Sequence, residues 1–257
     1  MALGISRRET TYTQKMKTVS ALSTVQRWLY YGFRFGLRVV LGRRRRDFLI
    51  NRMGLRPTWR AFTPHALIRP MIEWEPDVSR VMRQIKGDMF VDVGCNVGYY
   101  LRLLQGNFKR IIAFEADPEI VKEAQKHAPP NAAIYHLAVS DTTGFAHMHR
   151  NPQNLACGAS IVAGYSYTGM KVPCGPLSDY IPKGCVVDLV KLDVEGAEWL
   201  VLKGAEPAMH QIKRWMIELH DLTREKELDS YLRQHGYKTS WLRNDTSLPH
   251  VFAERSE

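Results

Sequence analysis

The stretch FVDVGCNVGYY, residues 90–100, decides the fold class, because a short apolar run passes into a glycine-containing turn and then into a helix. A second apolar run, RIIAFEAD over 110–117, follows that helix and carries Glu115 near its end. Glu115 lies 23 residues after Asp92, where nucleotide-binding α/β folds place an acid that accepts hydrogen bonds from ribose hydroxyls. This order of elements predicts a nucleotide-type ligand at the strand ends.

The turn after the first strand indicates a ligand without a pyrophosphate. Dinucleotide sites have the pattern GxGxxG, whereas this turn is GCNVG over 94–98, with Asn96 where a second close glycine would stand. The glycines allow a tight turn, and the N-terminus of the next helix adds the positive end of its dipole. The alternative interpretation of Glu115 is a surface acid that caps a helix.

From residue 76 onward the chain alternates helix and strand patterns, which predicts a parallel sheet covered by helices on both faces. Two closing strands, YKTSWL and HVFAER, are joined by a turn-rich stretch and indicate an antiparallel edge. Residues 144–175 are rich in glycine and poor in helix signals, so we expect a hairpin or a mobile loop there. The strands are expected at 89–94, 110–117, 132–139, 185–194, 214–220, 237–242 and 250–255.

Five segments together resemble the FkbM family of class I S-adenosylmethionine (SAM)-dependent methyltransferases: FVDVGCNVGYY, IIAFEADP, NAAIYHLAVSD, LVKLDVEGAEWLVLKGA and WMIELH. The resemblance covers residues 70–255. Cys95 stands where the family usually has alanine. In PLSDYI, Ser178 replaces the first acid of the family's Leu-Asp-Asp block, so the resemblance assigns no role to this position. The resemblance implies a Rossmann-like α/β fold: a mainly parallel seven-stranded sheet with an antiparallel edge strand and helices on both faces.

The resemblance also implies SAM as the cofactor and assigns its contacts. The loop after the first strand would lie under the methionine part, Glu115 would hold the ribose, and the two residues after it would flank the adenine. Val139 and Ser140 would lie on the other side of the adenine, and Asp193 would face the sulfonium and the acceptor. The implied cofactor-binding residues are Asp92, Gly94, Cys95, Asn96, Gly98, Tyr99, Glu115, Ala116, Asp117, Val139, Ser140 and Asp193.

Methyl transfer to a hydroxyl requires a positioned acceptor and removal of its proton, so a base is expected near the strand ends. The candidates are Asp193, Glu195, Glu218 and His220, with Glu198 close to them in sequence. Our hypothesis is that His220 or Asp193 acts as the base and that Glu218 orients it. Two alternatives stay open: His220 is a structural histidine at a strand end, or Asp193 and Glu218 hold Mg²⁺ through oxygen ligands.

The sequence predicts no metal centre. A Mg²⁺ ion at Asp193 and Glu218 lacks an evident third ligand, and the pair His147 and His149 is typical of two same-side surface residues in a strand. Four cysteines without a CxxC pair indicate reduced thiols and a cytoplasmic protein. Tyr165 and Tyr167 either line an acceptor pocket or are exposed aromatics in an ordinary hairpin.

The net charge of +10 is concentrated in the first 60 residues, which hold 14 Lys and Arg and two acids, a net of +12. The other 197 residues hold 22 bases and 24 acids, a net of 22 − 24 = −2. We therefore expect a basic helical N-terminal extension over 1–60 and a methyltransferase domain over 61–257. Arg27, Arg34 and Arg38 fall on one helix face beside aromatic residues, and four arginines follow at 43–46.

This pattern indicates contact of residues 24–46 with an anionic membrane surface. A helix packed on the domain, with solvated arginines, explains it equally well. Nucleic acid ranks third, because the apolar content exceeds what a phosphate-binding arm needs. We expect a cytoplasmic protein, peripheral at the membrane in the first interpretation.

The favoured function is SAM-dependent O-methylation of a hydroxyl on a sugar, a glycan or a natural-product-like small molecule. An RNA methyltransferase that uses the basic extension is one alternative, and a SAM-binding module without turnover is another. The fold does not fix the acceptor, because acceptor pockets lie in variable loops such as 144–175.

Overall fold

The computed structural model of the chain describes residues 75–149, 160–162, 169–243 and 248–256. The predictions for the basic extension, including residues 24–46 and the boundary between residues 60 and 61, lie outside these ranges. The same is true of Tyr165 and Tyr167.

The described residues form a three-layer α/β unit with two sheets. The strands are β1 (Gly87–Val93), β2 (Phe108–Glu115), β3 (Ala132–His136), β4 (Ala138–Val139), β5 (Gly144–His149), β6 (Gly169–Gly175), β7 (Leu189–Leu192), β8 (Arg214–Glu218), β9 (Tyr237–Leu242) and β10 (His250–Arg255). The α-helices are α1 (Pro76–Arg83), α2 (Tyr99–Leu104), α3 (Pro118–Lys126), α4 (Glu198–Ala205) and α5 (Glu225–Gln234). Short 3-10 helices cover Leu177–Tyr180, Glu206–Gln211 and Leu222–Arg224.

The main sheet has seven strands in the order β3-β2-β1-β7-β8-β10-β9. The first five pair in parallel, and β10 runs antiparallel to both β8 and β9. The prediction of a mainly parallel seven-stranded sheet is confirmed, and the antiparallel pairing lies at the expected edge, with β10 second from that edge. The carboxyl ends of β1, β2, β7 and β8 therefore lie along one side of the sheet, where open α/β sheets bind ligands.

The central strands are buried on both faces. Residues 89–93 of β1 and all four residues of β7 are buried, as expected of parallel strands that helices cover on both sides. Trp215 and Phe90, which are fully buried, are among the largest side chains in the interior. The strand ends that carry the polar site residues are thus held by a packed, rigid core.

Within 144–175 the structure describes two paired strands. β5 and β6 pair antiparallel, and β4 pairs in parallel with β6 in a separate three-stranded sheet. The sequence predicts one strand over 132–139, but the structure divides it into β3 and β4. The reason is that the Leu137 N–H donates to the Glu115 carbonyl at 3.0 Å, after which the chain leaves the main sheet and joins β6.

No helix within the described ranges combines the length and the apolar character needed to cross a bilayer.

Candidate active site

The glycine turn after β1 lies against the end of β7. The N–H groups of Gly94 and Cys95 both donate to the Phe114 carbonyl at 2.9 Å, which ties the turn to β2. Gly94 has φ 81°, and a Cβ atom there would collide with the main-chain carbonyl oxygen of Asp193. Glycine at this position is therefore required both by the left-handed backbone and by the close approach of two strand ends.

Glu115 closes the turn from the end of β2. Its Oε2 accepts the Asn96 N–H at 3.0 Å, and its Oε1 accepts the Asp117 N–H at 2.9 Å. Burial raises the pKa of Glu115 to about 7. The side chain of Asp117 caps α3, because it accepts the N–H of Glu119 at 2.8 Å. The surface-cap interpretation of Glu115 thus has no support, and its carboxylate faces the cleft.

A cleft lies between the turn, the end of β2 and the small sheet. Seven of the residues predicted to bind the cofactor line it: Gly94, Asn96, Glu115, Ala116, Asp117, Val139 and Asp193. Five others are not among the residues that line it: Asp92, Cys95, Gly98, Tyr99 and Ser140. Gly98, at φ 77°, is the N-cap of α2, so its role is to start the helix. Ser140 is buried, and its N–H donates to the Gly175 carbonyl at 2.9 Å.

Several lining residues were missed by the sequence analysis. Leu137, Met148 and Ile161 contribute apolar surface to the cleft, together with Ser160. Met148 comes from β5 in the glycine-rich segment, whose position against the main sheet has no sequence signal. Leu137 had a signal, because it lies inside the block that resembles the family, two residues before Val139.

Asp92 is buried beneath the turn rather than in the cleft. It is 1% exposed, and neither of its carboxylate oxygens has a hydrogen-bond partner among the described residues. Burial raises the pKa of Asp92 to about 7, although the nearby ammonium group of Lys191 acts in the opposite direction. A buried acid without partners destabilises the fold when it is ionised.

Lys191 sets the charge of Asp193. The Lys191 side chain is 3% exposed, and its Nζ donates to Asp193 Oδ2 at 2.9 Å. Burial tends to raise the pKa of Asp193, but the ammonium group outweighs this and holds it below its usual range. Asp193 is therefore ionised at neutral pH. A lysine within the apolar run of β7 was the sequence signal that could have revealed this partner.

Glu218, at the end of β8, holds a proton beside Asp193. Burial, followed by the negative charges of Asp193 and Glu75, raises the pKa of Glu218 to about 9. A hydrogen bond from Glu218 also helps to keep the pKa of Asp193 low. The two predicted carboxyl groups thus meet, with Glu218 as the donor and Asp193 as the acceptor.

His220 lies between two carboxylates, neither of which is Glu218. Its Nδ1 is 2.8 Å from Glu198 Oε1, and its Nε2 is 3.3 Å from Glu195 Oε2. Burial acts to lower the pKa of His220, but hydrogen bonds to Glu195 and Glu198 raise it to about 12. The prediction that Glu218 orients His220 is therefore corrected: Glu198 does so, because the start of α4 packs its carboxylate against the ring.

The proposed role of His220 as a base is also corrected for this state of the protein. An imidazole with a pKa of about 12 is protonated at neutral pH and donates from both nitrogens. Glu195, at φ 53°, lines the cleft after β7 has ended at Leu192. Asp193, Glu195 and His220 each offer one ligand atom within 4.8 Å of the others, a group that does not include Glu218. Both nitrogens of His220 are engaged with carboxylates, so the ring has no lone pair free for an ion.

His147 and His149 lie in β5 opposite Lys171 and Gly169. In the part of the chain that the structure describes, neither belongs to a group of side chains close enough to hold a metal ion. Cys95, Cys174 and Cys185 are free thiols.

The model of the methyltransferase FkbM domain matches residues 92–239, more than half of the chain, which confirms the resemblance. A curated relative, a tRNA U34 carboxymethyltransferase from Campylobacter lari (strain RM2100 / D67 / ATCC BAA-1060), is 32% identical over 78 residues. That match spans 30% of this chain and 23% of the relative, less than a quarter of its length.

Two solved structures illustrate the structural neighbours. M. capricolum TrmK in complex with S-adenosyl-homocysteine has a TM-score of 0.47 at 14% identity and covers 72% of this chain and 70% of its own. An rRNA methylase from Streptococcus thermophilus has a TM-score of 0.45 at 12% identity, and the match covers 72% of this chain and 99% of the methylase.

Proposed function

Because the chain belongs to the FkbM methyltransferase family, we propose that it transfers the methyl group of SAM to a hydroxyl oxygen on a sugar, a glycan or a natural-product-like small molecule. The observation that carries this proposal is the arrangement of Glu195, His220 and Glu198 at the cleft that Asp193 lines. An alcohol is a weak nucleophile, so it needs a nearby group that accepts its proton as the methyl group is transferred. A carboxylate in a fixed position at the cleft provides that group.

The cofactor is SAM, and the residues of the cleft fit it. Glu115 uses both carboxylate oxygens to accept backbone N–H groups, and the carboxylate still has a lone pair for a ribose hydroxyl. Leu137, Met148 and Ile161 offer the apolar surface that an adenine ring requires. SAM supplies a methyl group attached to a positively charged sulfonium. The ionised Asp193 contributes a negative charge at the same cleft.

We assign proton acceptance to Glu195 rather than to His220. The Glu195 carboxylate lines the cleft, whereas His220 is already protonated and hydrogen-bonded on both nitrogens. His220 then acts as a positioning residue that holds Glu195 Oε2, while Glu198 fixes the ring from the other side. Asp193 stays ionised because Lys191 pairs with it, so its part is electrostatic. The acceptor proton passes from the hydroxyl to the carboxylate of Glu195.

The test is transfer of labelled methyl from SAM by the full chain into fractionated glycan, small-molecule, lipid, RNA and protein pools. We expect label in the glycan or small-molecule pool. Glu195→Gln and Asp193→Asn should each reduce transfer about 100-fold, whereas Glu227→Gln, an exposed acid outside the cleft, should not. Unchanged turnover in both cleft variants would refute the assignment. SAM binding without label in any pool would indicate a binding module without turnover.

RNA is a second candidate acceptor, favoured by two observations. The curated relative is described as a tRNA U34 carboxymethyltransferase, and residues 1–60 have a net charge of +12. In that case label should enter the RNA pool, and transfer should fall steeply with added salt, because contacts with phosphates release counterions. Label in the glycan pool that is insensitive to salt would exclude this candidate.

For residues 24–46 we propose contact with an anionic membrane surface. The full chain should co-sediment with phosphatidylserine vesicles more than with neutral ones, and replacing the four arginines at 43–46 by glutamine should weaken this. A clustered positive charge near a lipid surface contributes about 1 kcal/mol per residue. Equal co-sedimentation of the unsubstituted chain and the glutamine variant with phosphatidylserine vesicles and with neutral vesicles would contradict the proposal.

A further inference from the structure

We propose that Glu75, Glu218 and His250 form a binding site for a divalent first-row transition-metal ion beside the active-site cleft. One ligand atom from each of the three side chains lies within 4.8 Å of the others. Glu75 and His250 lie outside residues 92–239, the part of the chain that matches the family model. The site is independent of the methyl acceptor proposed above.

The hydrogen bonding of the His250 ring suits a metal ligand. Its Nδ1 is 3.1 Å from the Leu248 carbonyl oxygen, which can only accept, so this nitrogen carries the proton. The lone pair of the neutral ring is then on Nε2, and Nε2 has no hydrogen-bond partner among the described residues, in a residue that is 1% exposed. A histidine that ligates a metal ordinarily donates its other N–H to a carbonyl or a carboxylate, and His250 is arranged in this way.

Glu75 presents one oxygen to His250 and uses the other to fix its own position. Oε2 accepts a hydrogen bond from Tyr100 Oη at 2.6 Å, whereas Oε1 is 3.8 Å from His250 Nε2. That separation exceeds a hydrogen bond. The separation of 3.8 Å is shorter than the sum of two zinc bonds of roughly 2.0–2.2 Å to nitrogen and oxygen, so an ion placed off the line between the two atoms can reach both at ordinary bond lengths.

Glu75 also has an unusual backbone. At the start of α1 it has φ 46° and ψ 68°, the left-handed region that a non-glycine residue rarely adopts. Its side chain is only 7% exposed although it carries a carboxylate. Strained backbone of this kind persists where the surroundings hold it, and it concentrates at functional sites.

Glu218 is brought to the pair by the sheet. It lies directly opposite His250 in the antiparallel pairing of β8 with β10, and opposite residues of such a pair point to the same face. Binding of an ion would displace the proton that Glu218 holds, because a ligating carboxyl group is deprotonated. Two carboxylates and one imidazole then form a donor set that suits Mn²⁺, Fe²⁺ or Zn²⁺. The surroundings are acidic, because the ammonium group of Lys191 and the imidazolium of His220 face the four carboxyl groups of Glu75, Asp92, Asp193 and Glu218.

The neighbouring group of Asp193, Glu195 and His220 is the weaker candidate. Both nitrogens of His220 are engaged with carboxylates, at 2.8 and 3.3 Å, so its ring has no free lone pair for an ion. This difference gives a matched pair of variants, one histidine from each group.

The test is calorimetric titration of the full chain, stripped with a chelator, with Zn²⁺ and with Mn²⁺, together with the electron paramagnetic resonance spectrum of bound Mn²⁺. We expect one ion per chain. Glu75→Gln and His250→Gln should each weaken binding at least tenfold, whereas the matched control His220→Gln should keep both the stoichiometry and the affinity.

Binding of S-adenosyl-homocysteine, measured in parallel, reports whether each variant is folded and separates this test from that of the proposed function. If His250→Gln fails to fold, Glu75→Gln decides. Absence of a stoichiometric ion, or loss of the ion in His220→Gln but not in Glu75→Gln, would overturn the proposal.

Discussion

The carboxylate of Glu198 accepts a hydrogen bond from Nδ1 of His220 at 2.8 Å, and Glu198 itself is 1% exposed. The same carboxylate oxygen accepts the Gly196 N–H at 2.9 Å, so it fixes both the ring and the loop that carries Glu195. A buried, charge-assisted hydrogen bond of this kind is strong and restricts the ring to one orientation. Glu198 therefore holds the loop after β7 and the His220 ring in fixed positions relative to each other.

Replacing Glu198 by glutamine should reduce the methyl-transfer rate roughly tenfold to a hundredfold. The substitution keeps the shape of the side chain but removes one of the three carboxylates that raise the pKa of His220, the other two being Glu195 and Asp193. That pKa should fall toward neutrality, so the rate should acquire a new dependence on pH between 6 and 9. The affinity for S-adenosyl-homocysteine should stay within about twofold, because Glu198 does not line the cleft. Glu206→Gln is the control, since this acid bonds the Tyr231 hydroxyl away from the cleft.

Gly94→Ala should abolish cofactor binding, whereas Gly184→Ala should not affect it. The two glycines have similar φ values, 81° and 76°, so alanine adds a backbone strain of about 1 kcal/mol at either position. Only at Gly94 does the added Cβ meet the Asp193 carbonyl oxygen, since nothing lies within 4 Å at Gly184. Calorimetric titration with S-adenosyl-homocysteine measures the difference. Equal loss of affinity in both variants would assign the effect to strain alone.

Cofactor affinity should fall as the pH is lowered from 8 to 6. Burial raises the pKa of Glu115 to about 7, so the carboxylate that would accept the ribose hydroxyls is increasingly protonated below that pH. Binding favours the ionised form, and the dissociation constant should increase up to about tenfold per pH unit well below the pKa. Glu115→Gln should bind weakly at every pH and show a flat profile. A wild-type affinity that is constant from pH 6 to 8 would contradict the role of Glu115.

Two buried aspartates should affect the free energy of unfolding with opposite signs. Burial raises the pKa of Asp92 from 3.8 to about 7, so between these pH values the folded state holds a proton that the unfolded state has lost. Stability therefore decreases as the pH rises toward 7, and the loss is complete above it. Asp92→Asn should therefore stabilise the cofactor-free protein at pH 8, by on the order of 2 kcal/mol. The measurement is urea unfolding at pH 6 and 8.

Asp188 is the matched control for that measurement. Burial opposes the shift, but Lys213 and the backbone N–H groups of Asp88 and Met89 lower the pKa of Asp188, so it stabilises the fold above its unfolded pKa and loses this effect as the pH falls. Asp188→Asn should destabilise the protein at pH 8 by roughly 1–3 kcal/mol. If the free energy of unfolding changed with the same sign in both variants, hydrogen-bond partners would not control the pKa values of these two carboxyl groups.

Much of the cofactor side of the site could be predicted from the sequence. The glycine turn, Glu115 and Asp193 are carried by strand patterns and by blocks that resemble one family, and the structure brings them to one cleft. The protonation states could not be predicted. They depend on burial and on Lys191, whose distance from Asp92 in the sequence is 99 residues.

The sequence by itself determined the order of strands and helices, the glycine turn after the first strand, and the separation of a basic first 60 residues from a near-neutral remainder. These features are local, because they rest on periodicity, turn residues and counts of charge. Only the tertiary structure decided which acids share protons, that Glu198 rather than Glu218 orients His220, and that Glu75 meets His250. The last pair is 175 residues apart, and it meets because β10 returns antiparallel beside β8, bringing a late histidine to the carboxyl ends of the parallel strands.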